Sequence, residues 1–384
     1  MVLEDVCELI ADCPHTTAPD EGKGYPLIRT PNVGKGRLLL EGVHRVSKDI
    51  YDKRNMRAIP QKDDIIFARE APAGNAALIR EGQEVCLGQR TVLIRPDCEK
   101  VFPKYLVYYL LAPEQQYKLL GTANGATVAH VNLPVIRKMP IELPDIDVQQ
   151  KIAGYISIYD DLIENNQKQI KLLEEAAQRL YKEWFIDLRF PGYENCKIVD
   201  GIPEKWERKK LVDIVDVQYG YAFDGSKFNS VGKGTPIIRI RNIPDGNTAD
   251  FTTEEAEEKY VISNGEILVG MDGEFHINSW SGKDAFLVQR TCCFRPRKRE
   301  MKGWLLWAIY EPIKFYEKTV VGATVSHLGK KHIDSIELLT GPEQLYIPFQ
   351  NYFELRQKLL NQNIVLAEAR DRLLPKLMSG EIEV

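Results

Sequence analysis

The 384-residue sequence predicts a mixed α/β (α+β) protein with two tandem, similar globular domains separated by a long antiparallel helical coiled coil. Three observations predict this fold class: ordered sequence blocks occur twice, each copy contains short β-type runs, and each copy ends in a long stretch with heptad spacing. A hydrophobic content of 44% fits folded domains with cores of their own. We place the first domain at residues 1-147, a central helix at 148-189, the second domain at 190-344 and a C-terminal helix at 345-384.

An internal repeat is the basis of the two-domain prediction. Gly24–Val33 recurs as Gly234–Ile243, and Gly125–His130 recurs as Gly322–His327. Shorter blocks recur in the same order: Leu3–Val6 as Leu211–Ile214, Asp64–Ile66 as Glu266–Leu268, Gln89–Thr91 as Gln289–Thr291, Arg95–Pro96 as Arg295–Pro296, and Ile141–Leu143 as Ile336–Leu338. The offset shrinks in small steps, as deletions in the loops between shared strands would produce. We infer a duplication.

Short elements fill each copy between these blocks. In the first copy, β-type runs bounded by Pro, Gly, Asp or Lys lie at Leu27–Ile28, Asp64–Ala68, Thr91–Arg95 and Ile141–Leu143. Tyr105–Leu111 and Trp304–Tyr310 are predicted to be short buried helices, each halted near a proline. We predict a linker at Phe190–Asn195, after which Gly201–Trp206 opens the second copy. This opening has no counterpart before Leu3, which fits either a shortened start or a natural variant.

A predicted long helix closes each copy, with apolar positions four and three residues apart. In the first helix these positions are Tyr159, Ile163, Asn166, Ile170, Leu173, Ala177, Leu180 and Trp184. In the second they are Tyr352, Leu355, Leu359, Gln362, Leu366, Ala369 and Leu373. This spacing favours a coiled coil between the two helices, with Asn166 and Gln362 as polar residues that fix the register. An ordinary amphipathic helix packed on its own domain is the alternative.

The duplication and the helices together indicate a kind of ligand. A helix of about 30 residues is about 45 Å long, so an antiparallel pair would hold two similar domains at opposite ends around a pseudo-twofold axis. Duplex DNA has local twofold symmetry. The arrangement therefore suits two unequal half-sites at least about 34 Å apart, which is one helical turn of DNA.

Charge and composition exclude several classes of function. The formal net charge is −4, but residues 145–187 alone hold nine acidic and five basic side chains, so the remainder is balanced and its basic loops can contact phosphates. The seven cysteines are scattered without a CxxC pair, which predicts no metal site and fits a reducing cytoplasm. No apolar run is long enough for a membrane span and no secretory signal is visible, so we expect a cytoplasmic protein. Gly220–Lys227 resembles a phosphate loop only with Lys and Ser transposed, and we expect no catalytic residues.

Several of these blocks resemble one known family. Gly-x-Pro-[Leu/Ile]-Ile-Arg-x-x-Asn, Gln-Arg-Thr and Gly-Ala-Thr-Val-x-His resemble the target recognition domains of type I restriction-modification specificity subunits. Leu162–Gln167, Leu180–Phe185 and the tail Leu374–Ile382 are similar to the same family. The resemblance covers essentially the whole chain, and the ordered recurrence of its motifs makes it specific.

The resemblance implies a non-catalytic subunit that reads a bipartite, asymmetric site in double-stranded DNA, with one half-site per domain. It also implies that two methyltransferase subunits dock on the helices and that restriction/translocase subunits join the larger assembly. S-adenosylmethionine, ATP and Mg would be used by those partners, and no cofactor is expected in this chain.

Two groups of side chains are candidates for DNA contact. Residues shared by both copies suit framework roles or phosphate contacts: Arg29, Asn32, Gln89, Arg90 and His130, with Arg239, Asn242, Gln289, Arg290 and His327. Residues in loops that differ between the copies suit sequence choice: Lys35, Arg37, Arg69, Arg241, His276 and Asn278. Lys330 and Lys331, near the block that ends in His327, suit phosphate contacts. For each of them a purely structural role or a solvated loop charge is the competing interpretation.

A duplicated protein-interaction scaffold without sequence-specific DNA binding is the second hypothesis. The heptads fit it equally well. The Arg, Lys and Asn content of the loops and the twofold geometry favour the DNA reader.

Overall fold

A computed structural model describes residues 1–121, 130–319 and 326–384. The chain forms two compact units: a first unit of Met1–Asp161 with Glu368–Val384, and a second unit of Leu162–Ala367. The division between the units falls inside both long helices. The predicted boundaries 1-147, 148-189, 190-344 and 345-384 separate each globular domain from its long helix. The compact units instead each include part of both long helices, so the predicted boundaries stay a prediction.

The first unit combines strands with helices, as the mixed composition of each copy predicts. Its strands are β1 (Cys7–Asp12), β2 (Tyr25–Ile28), β3 (Gly36–Arg37), β4 (Arg45–Val46), β5 (Ile65–Ala68), β6 (Ala76–Leu78), β7 (Cys86–Leu87) and β8 (Thr91–Pro96). Its helices are α1 (Lys48–Arg54), α2 (Pro103–Leu111), α3 (Pro113–Gly121), α4 (Leu133–Arg137) and the first part of α5 (Ile146–Tyr181). The strands form one sheet in the order β1-β8-β5-β6-β3 and a smaller sheet in the order β4-β2-β7.

The second unit repeats this plan. Its strands are β9 (Ile198–Val199), β10 (Ile202–Pro203), β11 (Glu207–Lys210), β12 (Val215–Tyr219), β13 (Phe228–Asn229), β14 (Thr235–Ile238), β15 (Phe251–Thr252), β16 (Val261–Ile262), β17 (Ile267–Gly270), β18 (Ile277–Ser279), β19 (Ala285–Leu287), β20 (Thr291–Pro296) and β21 (Glu337–Thr340). Its helices are α6 (Leu211–Ile214), α7 (Lys302–Ala308), α8 (Tyr310–Thr319), α9 (Lys330–Asp334) and most of α10 (Ile347–Met378).

Sheet topology confirms the duplication. The order β12-β20-β17-β18 in the second unit matches β1-β8-β5-β6 in the first, with every neighbouring pair antiparallel in both. The central part of the second sheet, β15-β14-β19, matches β4-β2-β7, and in both one pair is antiparallel and the other parallel. Mixed helices and sheets in two tandem copies are the fold class that the sequence predicts.

The central strands are continuous apolar runs because both faces of the larger sheet are covered. In β5, Ile65 and Phe67 face a core shared with Tyr105 of α2, whereas Ile66 and Ala68 face a second core beneath the smaller sheet. Side chains alternate across a strand, so a strand buried on both sides needs apolar residues at every position. The same alternation divides β17 between two cores of the second unit. The predicted buried helices Tyr105–Leu111 and Trp304–Tyr310 fall on α2 and α7, which cover this sheet.

One predicted strand forms in only one copy. Ile336–Leu338 leads into β21, which pairs with β11 along Glu207–Lys210. Its counterpart Ile141–Leu143 is not a strand; the neighbouring Pro140 makes a single bridge to Val2. The prediction was wrong there because a strand needs a partner: β11 provides one for β21, and the single bridge between Val2 and Pro140 does not provide one for Ile141–Leu143. The predicted linker is also packed, since Phe190 stacks against Trp206 at 4.7 Å between ring centroids.

Each predicted seam residue of the first long helix, from Tyr159 to Trp184, is buried or half-buried, and Asn166 is 6% exposed. Within the second unit α5 and α10 pack antiparallel, since Asn166 donates to Asn363 Oδ1 at 3.0 Å while Glu174, further along α5, accepts from the earlier Arg356 at 2.6 Å. Asn166 Nδ2 also lies 3.5 Å from Oε1 of Gln362, the polar residue predicted for the seam of α10.

The predicted seam of α10 needs a correction. Leu359, Leu366 and Leu373 face inward as predicted, but Leu355 is 46% exposed and Gln362 is exposed. The inward positions next to them are the polar residues Arg356 and Asn363. This helix meets α5 partly through hydrogen bonds, and it is Arg356 and Asn363 that make them, to Glu174 and Asn166.

Candidate nucleic-acid interface

The repeated Gly-x-Pro block forms a strand followed by a tight turn that positions an arginine. β2 and β14 run into single 3₁₀ turns, Thr30–Asn32 and Ile240–Asn242. In each turn the asparagine Oδ1 accepts a hydrogen bond from the backbone N–H of the arginine, at 3.1 Å for Asn32 with Arg29 and 2.9 Å for Asn242 with Arg239. Of the two interpretations of these asparagines, the structure supports the framework role. Asn32 is only 8% exposed, and its contact with DNA stays a prediction.

Charges at this turn differ between the units. In the second unit Asp250 accepts from Arg239 at 2.7 Å, from Arg241 at 2.8 and 2.9 Å, and from Asn242 at 3.2 Å. Burial alone would raise the pKa of Asp250, but these bonds outweigh it and hold the pKa at about 2. Arg239 also lies over the ring of Phe228. Arg241 remains 65% exposed, so it keeps a face for a ligand despite this pairing.

The Gln-Arg-Thr block is a turn before the central strands β8 and β20. Thr91 Oγ1 donates to Gly88 O at 2.9 Å, and Thr291 Oγ1 donates to Val288 O at 2.5 Å, which closes the turn. Arg90 and Arg290 have positive φ angles of 64° and 71°. Residues other than glycine rarely adopt this conformation, so its recurrence at equivalent positions shows that the turn is constrained in the same way in both units. Gln89 donates to His15 O at 2.9 Å, and Gln289 is exposed.

Each of these arginines is part of a cluster with a carboxylate and a histidine. In the first unit Glu70 Oε1 lies 3.2 Å from Arg90 Nη1 and 2.5 Å from His130 Nδ1. His130 Nε2 lies 3.0 Å from Arg69 Nη2, which can only donate. His130 therefore accepts at Nε2 and donates from Nδ1 to Glu70.

In the second unit the same cluster recurs. Asp272 Oδ1 lies 2.5 Å from His327 Nδ1, and Asp272 Oδ2 lies 3.4 Å from Arg290 Nη1. Backbone bonds tether both histidine segments alike: Val131 N donates to Arg69 O at 3.0 Å, and Leu328 N donates to Met271 O at 2.7 Å. The rest of the repeated block, Gly125–Ala129 and Gly322–Val325, lies outside the described residues.

Sequence reasoning missed the two carboxylates. Glu70 and Asp272 differ in type and sit in loops chosen for their basic and amide residues. A signal was present, because each acid follows the end of its central strand, β5 or β17, by two residues. Aligning the loops by strand end would have paired them.

The Arg-Pro block supports the fold and lies away from this cluster. Arg95 makes a bidentate pair with Asp64, 2.8 Å from Nε and 2.7 Å from Nη2. Arg295 pairs with Glu266 in the same way and donates from Nη2 to Val261 O at 2.9 Å. Asp64 and Glu266 belong to another repeated block, so in each unit these two shared blocks are joined by an ion pair.

Two predicted DNA contacts are buried instead. Arg69 is 7% exposed, with Nη1 3.0 Å from Asp12 Oδ1 and Nε donating to Val131 O at 2.9 Å. Asn278 is 8% exposed; it donates to Ile243 O at 3.0 Å and accepts from Arg356 Nη2 at 2.7 Å. Buried polar groups need such partners, so these side chains support the fold; their contact with DNA stays a prediction.

The remaining predicted residues lie at or near the surface, and their contact with DNA stays a prediction. Lys35 and Lys331 are exposed, and Arg37 is half-buried on β3. Lys330 pairs with Asp334 at 2.7 Å within α9, and His276 lies 3.6 Å from Glu274.

In the first unit a small groove of about 220 Å³ collects several of these groups. It is lined by Arg29, Thr30, Gln89 and Arg90, with Arg54 beneath. Thr30 Oγ1 donates to Ala71 O at 3.2 Å, which brings the Arg29 turn beside the Glu70 loop. The structure thus joins the Gly-x-Pro turn, the Gln-Arg-Thr turn and the histidine segment at one place.

Among residues 1–121, 130–319 and 326–384, no group of three or more His, Cys, Asp or Glu side chains is arranged to hold a metal ion. In the same part of the chain, no helix combines the length and the apolar character that a membrane crossing requires.

A family model described as the type I restriction modification DNA specificity domain matches residues 1–175 and 203–342. The chain belongs to this family. The two matched ranges contain the two copies of the repeat, including both carboxylate clusters. The alternative of a protein-interaction scaffold is therefore not favoured.

Individual relatives agree with this membership. The chain is 27% identical over 361 residues to the type I restriction enzyme MjaIX specificity subunit of Methanocaldococcus jannaschii, with 89% of this chain and 83% of that protein covered. It is 22% identical over 407 residues to the type I restriction enzyme HindI specificity subunit of Haemophilus influenzae, covering 84% and 87%. The solved S subunit of a type I restriction-modification system from M. genitalium shares the fold, with a TM-score of 0.54 at 17% identity over 98% of this chain and 95% of that chain.

Proposed function

We propose that this chain is the non-catalytic subunit that gives a type I restriction-modification complex its DNA sequence specificity, with each unit reading one half of a bipartite site. The observation that carries the proposal is the duplicated cluster of arginine, histidine and carboxylate, which stands on equivalent turns of both units. An arginine in a constrained turn suits bidentate recognition of guanine in the major groove.

Differences between the clusters support the reading of unequal half-sites. Glu70 and Asp272 differ in length, and the nearby arginine turn carries the Arg239–Arg241–Asp250 group only in the second unit. Two similar frameworks with different side chains at the surface would read two different sequences.

Partners belong to the same proposal. Two methyltransferase subunits would dock on α5 and α10, and restriction/translocase subunits would join them. The methyl donor S-adenosylmethionine, ATP and Mg would be bound by those subunits. A cytoplasmic location is supported by the seven cysteines, all of which are free thiols.

A salt-dependent duplex-binding assay tests the proposal, with the full chain measured alone and together with its methyltransferase. Replacing Arg90 with Gln should weaken binding to the recognised duplex by about 1–3 kcal/mol, the usual value of one bidentate base contact. Lys62→Gln removes the same charge at the other end of β5, where Lys62 lies 3.5 Å from Glu81, and should leave binding unchanged. Absence of any duplex binding, alone or with the methyltransferase, would refute the proposed function.

A further inference from the structure

Each unit places one carboxylate between the arginine and the histidine of its surface cluster. Glu70 and Asp272 lie at equivalent positions, two residues after β5 and β17. Both are about a quarter exposed, at 27%, whereas Arg90 and Arg290 are 53% and 57% exposed. A negative charge at this depth is unexpected on a surface that meets phosphates, and it recurs in both copies.

The carboxylates occupy only part of each arginine. The contacts run from Nη1 of Arg90 and of Arg290 to a carboxylate oxygen, at 3.2 and 3.4 Å. A guanidinium has five N–H donors in a fixed plane, so the outer edge stays available for two acceptors of a base. The histidine Nδ1 lies 2.5 Å from the same carboxylate in both units and helps to hold it in place; in the second unit this nitrogen also lies 3.4 Å from Arg290 Nη1.

We propose that Glu70 and Asp272 are specificity-determining residues, which withhold Arg90 and Arg290 from DNA phosphates and orient them towards base edges. The inference rests on the proposed function and adds a role to side chains that do not themselves read a base. On non-cognate DNA, an untethered arginine on a flexible stem would turn to the nearest phosphate and add affinity without information. A tethered arginine adds little affinity for non-cognate DNA, because the carboxylate already holds it and repels the phosphate.

On the cognate half-site the same tether has a different effect. The arginine is already aimed at the base, so less side-chain freedom is lost when the base contact forms. The carboxylate therefore lowers non-cognate affinity while cognate affinity is kept, and the ratio of the two is the specificity.

The test compares Glu70→Gln, Asp272→Asn and the double variant, each as the full chain with its methyltransferase. Both substitutions keep the shape and an oxygen that can accept from the histidine, and they remove the charge. Binding is measured over a series of salt concentrations to two probes: a duplex carrying the motif that this complex methylates, and a duplex of the same composition with both half-sites scrambled.

Each single variant should bind the scrambled duplex about fivefold more tightly, the effect of releasing one surface ion pair. The slope of log K against log salt on that duplex should steepen by about 0.9 for each arginine released to a phosphate. Affinity for the cognate duplex should stay equal or fall. Adding Arg90→Ala to Glu70→Gln should abolish the gain on the scrambled duplex, which shows that the gain runs through this arginine.

Matched controls remove the same charge elsewhere. Glu81 lies 3.5 Å from Lys62, a residue that precedes β5, and Asp284 is exposed in the turn that precedes β19. Glu81→Gln and Asp284→Asn therefore leave the clusters intact. If these controls raise non-cognate binding as much as the cluster variants do, the effect is one of net charge and the proposal is wrong. If the wild type prefers the cognate duplex, and the cluster variants keep the same salt slopes and the same ratio of cognate to scrambled affinity, the tether proposal is wrong and the proposed function stands. If the wild type binds both duplexes equally, the proposed function itself is wrong. Circular dichroism melting checks that the variants are folded.

Discussion

Arg356 is the residue whose replacement most directly tests how α10 is held in the second unit. Its side chain is 7% exposed and donates to three groups: Glu174 at 2.6 Å, Ser279 Oγ at 2.7 Å and Asn278 Oδ1 at 2.7 Å. Arg356→Met keeps a long apolar stem but removes one donor from each of these groups; Asn278 Oδ1 still accepts from the backbone N–H of Ser279 at 2.8 Å. The two bonds to β18 are buried, whereas Glu174 is 34% exposed and regains water.

The expected cost follows from this geometry. Removing one partner of a buried pair costs about 3–5 kcal/mol, and the exposure of Glu174 reduces its share, so we expect about 3 kcal/mol. For a unit of about 200 residues this lowers the melting temperature by about 6–12 °C. Arg372→Met is the control, because Arg372 is 81% exposed and its ion pair is a long one with Glu368 on its own helix, at 3.9 Å.

Differential scanning calorimetry measures the shift, and hydrogen exchange locates it. Faster exchange should appear in β18 and in α10 around residue 356, and not in the sheet of the first unit. If Arg356→Met melts within about 2 °C of the wild type, as the control should, then the three bonds do not stabilise the unit and the assignment of α10's polar seam is wrong.

Three further predictions follow from buried or strongly paired groups. Asp64→Asn removes the charge from a carboxylate that is 2% exposed and bidentate with Arg95, so urea unfolding should show a loss of about 2–3 kcal/mol; a loss below about 0.5 kcal/mol would contradict the framework role of this block. The pKa of Asp250 is lowered to about 2, so its stabilisation is complete above about pH 4 and decreases as pH falls towards 2; acid titration monitored by tryptophan fluorescence should show a smaller decrease for Asp250→Asn, and equal curves would refute the pairing. Burial raises the pKa of Cys86 to about 11, so iodoacetamide at neutral pH should modify the exposed Cys98 well before Cys86, which should react only on unfolding; equal rates by mass spectrometry would contradict the burial of Cys86.

Much of the fold was predictable because it rests on apolar patterns that survive in both copies. The continuous runs at β5 and β8, and the offset to β17 and β20, are enough to place the central strands and the duplication. Strand β21 and the failed strand at Ile141–Leu143 have nearly the same sequence, so only the presence or absence of a partner separates them. The sequence of one segment does not show which other segment will lie beside it in the fold.

Polar residues were harder to interpret, because the same side chain can serve the fold or a ligand. Arg69 and Asn278 were chosen as loop residues, yet both turn inward to satisfy buried groups. Heptad spacing predicts Leu355 and Gln362 on the inner face of α10, whereas the hydrogen bonds to α5 are made by their neighbours Arg356 and Asn363. Arg90 and Arg290 are shared by both copies in the sequence, but their positive φ angles and their contacts with Glu70 and Asp272 are visible only in the structure.

The central claim is that each unit reads one half of a bipartite DNA site. Mapping methylated adenines in cells that express this chain with its methyltransferase tests it directly, when residues 30–130 are exchanged for those of another specificity subunit. The account predicts a two-part motif in which the exchange alters one half and leaves the other half and the spacing unchanged. A change in both halves, or methylation without a two-part motif, would contradict it.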